Sequence, residues 1–347
     1  MDGGLRRRRL LQLIGAGLGL QAALPAGAGQ ATPLHQAAGM TPRAARGLMT
    51  RVLRAGERLV ALGERGLVVL SDDGGRQWRQ AHVPVSVTLT SASFVDARQG
   101  WIAGHGGVIL HTGDGGETWA LQTDGIALAN AALAQAHGLS AAATQRAQRL
   151  VDEGADKPLL SICFADARRG MAVGAYGLAT STRDGGKTWH PCTEGLPNPQ
   201  GLHLYAAARH GKTWVLAGEQ GLLMRSVDDG ASFEPLAAPS RRSFFTATAT
   251  RDGAFVCAGL LGNACRVEGP TPTPLALPAP LTLLSCTEGR DGRLLLLAQG
   301  GRLLVSRDGG SSFTEQPLPR LMPLTALAEA PDGGLVATSL GGVARLG

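Results

Sequence analysis

Apolar residues along this chain come in short runs, three to five long, set between polar turns that carry glycine. Such runs occupy 59–62, 67–70, 108–110, 214–217 and 294–298. Runs this short, rich in Val, Ile and Leu and bounded by turn residues, read as buried strands rather than helices. They fall into a repeated order: strand, turn, strand, a G-x-x-G turn, strand, a polar turn built on an aspartate, and a short outer strand. Seven such units follow one another, at about 48–83, 88–123, 158–194, 203–238, 244–278, 281–318 and 323–347.

The polar turn is the most specific signal. TGDGGETW at 112–119 recurs in the form S/T-x-D-x-G-x-x-W/F at 71–78, 182–189, 226–233 and 306–313. Its aspartates are 41, 70, 44 and 80 residues apart, which one repeat of about 40 explains, given an insertion of about 29. In such a turn the carboxylates of Asp73, Asp114, Asp184, Asp228 and Asp308 accept backbone amides, and the glycines supply positive φ. Trp78, Trp119, Trp189, Phe233 and Phe313 then open the next strand as wedges against a neighbouring unit. One carboxylate per turn is neither a catalytic pair nor a cation cage, so these are structural staples and no metal or cofactor is expected. Units this small bury a core only by stacking. A fixed period in this range means a solenoid, a propeller or an array. The turn resembles the Asp-box of sialidase-like repeats, which joins the third and fourth strands of a propeller blade, and that resemblance implies the propeller. The expected fold is therefore all-β: one seven-bladed β-propeller of four-stranded blades over 29–347, with these Asp-turns and a short helical insertion between blades 2 and 3.

Three stretches depart from the template. Unit five has lost the Asp-turn and carries GPTPTP at 269–274. Unit seven stops after its third strand. Because an open sheet edge is a liability, the unassigned stretch at about 33–46 is expected to supply a fourth strand, joining both termini in one composite blade. The segment 126–156, rich in Ala, Leu and Gln, predicts two short helices, the second capped by Ser140 and running to Glu153. It serves either as a lid over a blade junction or as a docking element.

Residues 1–28 have the make-up of an export signal: Arg6 to Arg9, an apolar run over 10–24, then small residues at 26–28. RRRLLQ at 7–12 resembles a twin-arginine signal without its usual preceding Ser or Thr, leaving Tat and Sec export both open. No later stretch is long and apolar enough to span a bilayer, so a monomer that is periplasmic or otherwise exported is expected. The formal charge of +6 also changes meaning here. Arg6 to Arg9 and Asp2 lie in the leader, leaving 29 Lys and Arg against 26 Asp and Glu. That excess is too small to indicate nucleic acid. Five cysteines without C-x-x-C or a His cluster make no metal framework; Cys257 and Cys265 fall on paired strands, as buried thiols or a disulfide.

Propeller topology puts the Asp-turns and first-to-second turns on one face, and the G-x-x-G turns and blade linkers on the other. The latter face then carries Glu64, Arg65, His105, Tyr176, Glu219 and Gln220 within the turns, Arg241 and Arg242 in a linker, and the helical insertion. A mixed rim of Tyr, His and Arg is the composition of a partner-binding surface. Glu64, His105 and Glu219 sit on separate blades and make no defined acid/base set.

The Asp-turn resembles the Asp-box of sialidase-like repeats. Together with the G-x-x-G turns and the seven-unit count, it resembles the photosystem II stability/assembly factor family, whose unit is close to V-G-x-x-G-x-I-x-x-S-x-D-G-G-x-T-W. AVGAYGLATSTRDGGKTW at 172–189 and IAGHGGVILHTGDGGETW at 102–119 carry the likeness, which extends over about 48–347. It implies an exported, non-catalytic propeller that binds membrane-protein subunits during assembly. The helical insertion, the box-less fifth unit and the twin-arginine motif depart from the family. A periplasmic accessory of a transporter or envelope complex is a second reading. A sialidase-like glycosidase is a third, but the Arg-Ile-Pro element it implies is missing and only Tyr176 and Tyr205 could serve as its tyrosine.

Overall fold

The computed structural model describes residues 32–319 and 323–346; the expected export signal lies outside them. Seven antiparallel meander sheets form the described chain, each made of sequential strands. Their innermost strands are Met49–Ala55, Leu89–Phe94, Leu159–Phe164, Leu204–His210, Phe244–Ala249, Leu283–Glu288 and Leu324–Glu329. Each touches the next, and the last touches the first, so the ring is closed. Blades 1 to 6 have four strands. The all-β seven-bladed propeller is therefore the observed fold.

The core lies between blades, as the repeat requires. Second strands such as Gly100–Gly104 and Phe255–Gly259 are buried along their whole length. Each Asp-box aromatic packs toward the preceding blade: Trp78 with Val336, Trp119 with Leu70, Trp189 with Trp101, Phe233 with Met171 and Phe313 with Val256. Between blades 2 and 3, Trp101 stacks on Phe164 with centroids 3.6 Å apart, and Trp189 meets Phe164 edge-on. Large rings thus fill the widening gap between adjacent sheets.

The seam differs from the expectation. The seventh sheet has three strands, Leu324–Glu329, Leu335–Ser339 and Gly342–Leu346. Residues 33–46 do not complete it. They run as coil into a single 3-10 turn, Ala44–Arg46, and their bonds outside the segment go to blade 1 and the linker after it. Ala38 N donates to Val83 O (2.9 Å), and Thr41 N donates to Gln80 Oε1 (2.8 Å). Pro33 and Pro42 carry no amide hydrogen and suit no ladder. The turn still abuts the last strand, where a Cβ on Gly342 would stand 2.2 Å from the Ala45 carbonyl. Side chains close the ring instead. Thr325 Oγ1 donates to Met49 O (2.7 Å), Arg345 Nη1 to Gly74 O (2.5 Å), and Asp332 pairs with both Arg76 and Arg345. Removing 32–46 uncovers the hydrophobic contacts of Leu34, Ala38 and Ala44. A chain starting at 47 should lose about 2–3 kcal/mol, read by urea unfolding; an unchanged midpoint would show that this strap adds nothing.

The insertion forms two helices, α1 (Gly125–Ala136) and α2 (Ala141–Glu153). Asp124 caps the first by accepting from Ala127 N, and Ser140 caps the second by accepting from Ala143 N. They pack through Ala136, Ala143 and Ala147, a thin contact that Arg146 supplements by pairing with Glu194 beyond blade 3. Cys257 and Cys265 face each other in register across adjacent strands, and all five cysteines are free thiols.

Candidate partner-binding face

The G-x-x-G turn owes its form to two kinds of crowding. Its first glycine (Gly63, Gly104, Gly174, Gly218 or Gly259) has extended backbone that any residue could adopt. A Cβ there would nevertheless stand 2.0–2.6 Å from the carbonyl oxygen just before the innermost strand: Leu48, Thr88, Pro158, His203 or Ser243. The next residue donates its amide to that same oxygen, as in Glu64 to Leu48 (3.1 Å), Ala175 to Pro158 (3.1 Å) and Glu219 to His203 (2.9 Å). The last glycine makes room for the linker to the following blade, so that Gly66 lies against Val85 and Gly221 against Ser240. The turns and linkers therefore share one face.

Between the glycines, the residue before the last one is left-handed. Arg65 (φ 53°), Tyr176 (φ 55°), Gln220 (φ 53°) and Leu261 (φ 49°) hold this conformation; blade 2 has Gly106 instead. Each non-glycine there costs about 1–2 kcal/mol of backbone strain. The conformation points its side chain off the propeller: Tyr176 is 60% exposed and Leu261 50%.

The structure gathers only part of the expected set. Tyr176 lies 4.9 Å from the His203 ring, His203 lies 5.9 Å from Tyr205, and Tyr205 lies 5.6 Å from Phe245. Lys157 Nζ sits 5.3 Å over the Tyr176 ring, a cation–π contact. Glu219 joins this ladder by accepting from His203 N (3.1 Å). Burial first, and the Glu219 carboxylate second, push the Tyr205 phenol above its ordinary range. Gln220 N donates to Ser243 Oγ, beside the linker that carries the exposed Arg241 and Arg242. Glu64, Arg65 and His105 are exposed on blades 1 and 2 and make no side-chain hydrogen bond, ion pair or ring contact with this group. Near His105, Leu34 of the N-terminal strap lies against Gly106.

His203, Tyr205 and Phe245 are the residues that the sequence reading missed. Tyr205 and Phe245 sit at the irregularity that each innermost strand makes after its first residue. The same position holds Thr50, Thr90 and Thr325, whose hydroxyls donate to the neighbouring blade's carbonyls at 2.6–2.7 Å. In blades 3 and 6 it holds Leu160 and Leu284. The mouth of the ring is thus hydroxylic on blades 7, 1 and 2, and apolar or aromatic on blades 3 to 6. The signal was the residue type at one fixed place in each unit.

On the opposite face the Asp-boxes are closed units. In blade 3, Thr182 Oγ1 donates to Asp184 Oδ1 (2.8 Å) and accepts from Gly186 N (2.9 Å). Thr188 donates its amide to Oδ1 (3.0 Å) and its hydroxyl to Oδ2 (2.6 Å). The Asp114, Asp228 and Asp308 turns repeat this network, while Asp73 accepts amides from Arg76 and Gln77. These carboxylates are spent on their own turns.

Fold and site together define an Asp-box seven-bladed propeller with one aromatic, partly basic face. The model of the family described as Photosynthesis system II assembly factor YCF48 matches residues 56–155 and 139–241, more than half of the chain. The chain belongs to that family. It is 32% identical over 77 residues to the Photosystem II assembly lipoprotein Ycf48 of Synechococcus sp. (strain CC9902). That stretch spans 22% of this chain and 23% of the relative's length. Among solved structures, YCF48 bound to D1 peptide superposes with a TM-score of 0.61 at 16% identity, covering 90% of this chain and 95% of that one. YCF48 from Cyanidioschyzon merolae gives 0.62 at 14%, covering 90% and 98%. The WD40 propeller domain of Doa1 gives 0.60 at 10%, covering 90% and 95%. At such identities the likeness is one of fold.

Proposed function

We propose that this protein is an exported, non-catalytic assembly factor that holds a segment of a membrane-protein subunit on its G-x-x-G face. The observation that carries the reading is the ladder Tyr176–His203–Tyr205–Phe245, flanked by Lys157, Arg241 and Arg242. An exposed ring at a strained backbone position, near Arg241 and Arg242, which pair with no described carboxylate, forms the kind of anchor that peptides engage. Membership of an assembly-factor family, and a relative solved with a peptide bound, support it. The leader motif supports export, and no helix among the described residues is long and apolar enough to cross a membrane.

Crosslinked pull-down of the tagged protein from its native envelope tests this. Photosystem or reaction-centre subunits are the expected catch. Capture of a transporter would favour the accessory reading, and capture of no membrane protein would remove the assembly role. The variant combining Tyr176→Gly, Arg241→Gln and Arg242→Gln should reduce capture by about tenfold or more, as expected when a central anchor is lost. Glycine is at ease in the left-handed region, so Tyr176→Gly alone should hold or raise stability by up to about 1 kcal/mol. Undiminished capture by the triple variant would move the site off this face.

A further inference from the structure

The central channel holds a second feature, on the Asp-box side of the ring and separate from the aromatic mouth. A cavity of about 390 Å³ is lined by the innermost strands of blades 1, 5, 6 and 7 and by Ala92 of blade 2. Its lower rim is formed by residues at the first-to-second turns, among them Arg251 and Arg290. This volume lies within the range of small-molecule pockets.

Arg51 is the unusual residue in it. The first regular ladder position after the strand irregularity is occupied in the other blades by Ser91, Ser161, Thr246 and Ser285, or by Ala206 and Ala326. Blade 1 alone places a long cation there. Three of the hydroxyls are committed to joining blades: Ser91 accepts from Ile162 N, Ser161 from Ala207 N and Thr246 from Cys286 N. Small residues around Arg51 leave the space that forms the cavity.

The other charges lining the cavity are matched. Arg54 bonds Gly56 O and pairs with Glu57, and Arg290 also pairs with Glu57. Glu288 accepts from Arg251 N, and Glu329 accepts from Arg290 N and pairs with Arg293. The Arg51 side chain has no hydrogen bond or ion pair with any described residue, and its charge is felt by Cys286 two blades away. The Cys286 thiol is no counter-ion, since burial pushes it up to about 11. A guanidinium does not shed its proton at working pH, so Arg51, half-buried in the channel, keeps a charge that no described carboxylate matches. Burial lowers its pKa without neutralising it.

We infer that Arg51 and the channel around it form a binding site for a small oxyanion, a free carboxylate or phosphate compound held by the planar guanidinium fork. With Arg54 and Arg290 paired to Glu57 and Arg251 beside Glu288, the unmatched positive charge in the lining is that of Arg51. The site opens on the face opposite Tyr176, so it is independent of partner capture.

The test uses the full chain, with inorganic phosphate and citrate as probes at fixed ionic strength. Calorimetry should show one saturable site for at least one probe, with millimolar or tighter affinity. The melting temperature should rise with that probe. Arg51→Met should lose the heat and the shift by tenfold or more in affinity while melting, without anion, no lower than wild type. Arg51→Lys should keep weaker binding, since it retains the charge but not the fork; it also serves if the methionine variant fails to fold. Preference for phosphate or for citrate identifies which oxyanion the site takes. Equal binding by wild type and Arg51→Met, or no saturable binding of either probe, would overturn the inference. Loss of partner capture by the Tyr176 variant with anion binding intact would leave it standing.

Discussion

Replacing Gly174 by alanine will cost at least about 3 kcal/mol of folding free energy. The reason is steric and involves no unusual dihedral, because Gly174 has an extended backbone (φ −164°) that alanine also adopts. Its missing side chain is what matters: a Cβ would stand 2.2 Å from Pro158 O and 2.9 Å from Leu159 Cα. Both are backbone atoms, so no rotamer change relieves the clash. Yielding would separate the turn from the first strand of blade 3, break the Ala175 N to Pro158 O bond and disturb the position of Tyr176. Gly195→Ala is the control, since nothing lies within 4 Å of a Cβ there. Thermal unfolding should show a drop of roughly 6–12 °C for Gly174→Ala and almost none for Gly195→Ala. A difference under about 1 kcal/mol between them would mean that the blade tolerates separation of turn and strand, and that the repeated glycine has another cause.

That glycine also shows which parts of the molecule were legible in the sequence. The Asp-box and the G-x-x-G turn are local motifs whose bonds close within a few residues, so each copy announced itself. The helix cap at Ser140 was readable for the same reason, and α2 does end at Glu153. The seam was not. Whether 33–46 pairs with the last strand depends on contacts about 300 residues apart, and the segment's own bonds, to Val83 and Gln80, favour blade 1. The face was half legible. Turn residues such as Tyr176 and Glu219 stood out between glycines. His203, Tyr205 and Phe245 lay inside what read as ordinary strand starts, because the fixed place at which each innermost strand turns a residue toward the mouth shows only when the seven units are aligned on it. Arg51 was hidden in the same way: a charge in a strand becomes unusual only when the six equivalent positions are compared.

Removing the Asp184 carboxylate should destabilise the propeller less than Gly174→Ala, by about 1–2 kcal/mol, and in a pH-dependent way. The Thr188 hydroxyl, then its amide, hold this carboxylate well below the usual range, with Thr182 adding a further bond. Most of the turn is open to water, which replaces part of what Asp184→Ala removes and keeps the loss modest. Asp184→Asn retains one acceptor oxygen and should fall between alanine and wild type. The same bonds fix the acid behaviour. Burial alone would raise Asp114, but the Thr118 hydroxyl and amide and the Thr112 hydroxyl outweigh it and hold it at about 2. Asp308 is lowered to about 2, first by the Ser312 hydroxyl and then by its amide. Folded carboxylates that titrate below their ordinary 3.8 stabilise the protein fully above that value. The stabilisation is lost as pH falls toward about 2, because the unfolded chain then binds protons that the folded turns resist. Urea midpoints should therefore be level from neutrality to about pH 5 and drop steeply between about pH 4 and 2. Asp184→Ala should begin lower and drop less steeply, having one such carboxylate fewer. Parallel curves for variant and wild type would show that Asp184 is not held in its ionised form by the turn, and that the box closes through Thr182 and the glycines alone.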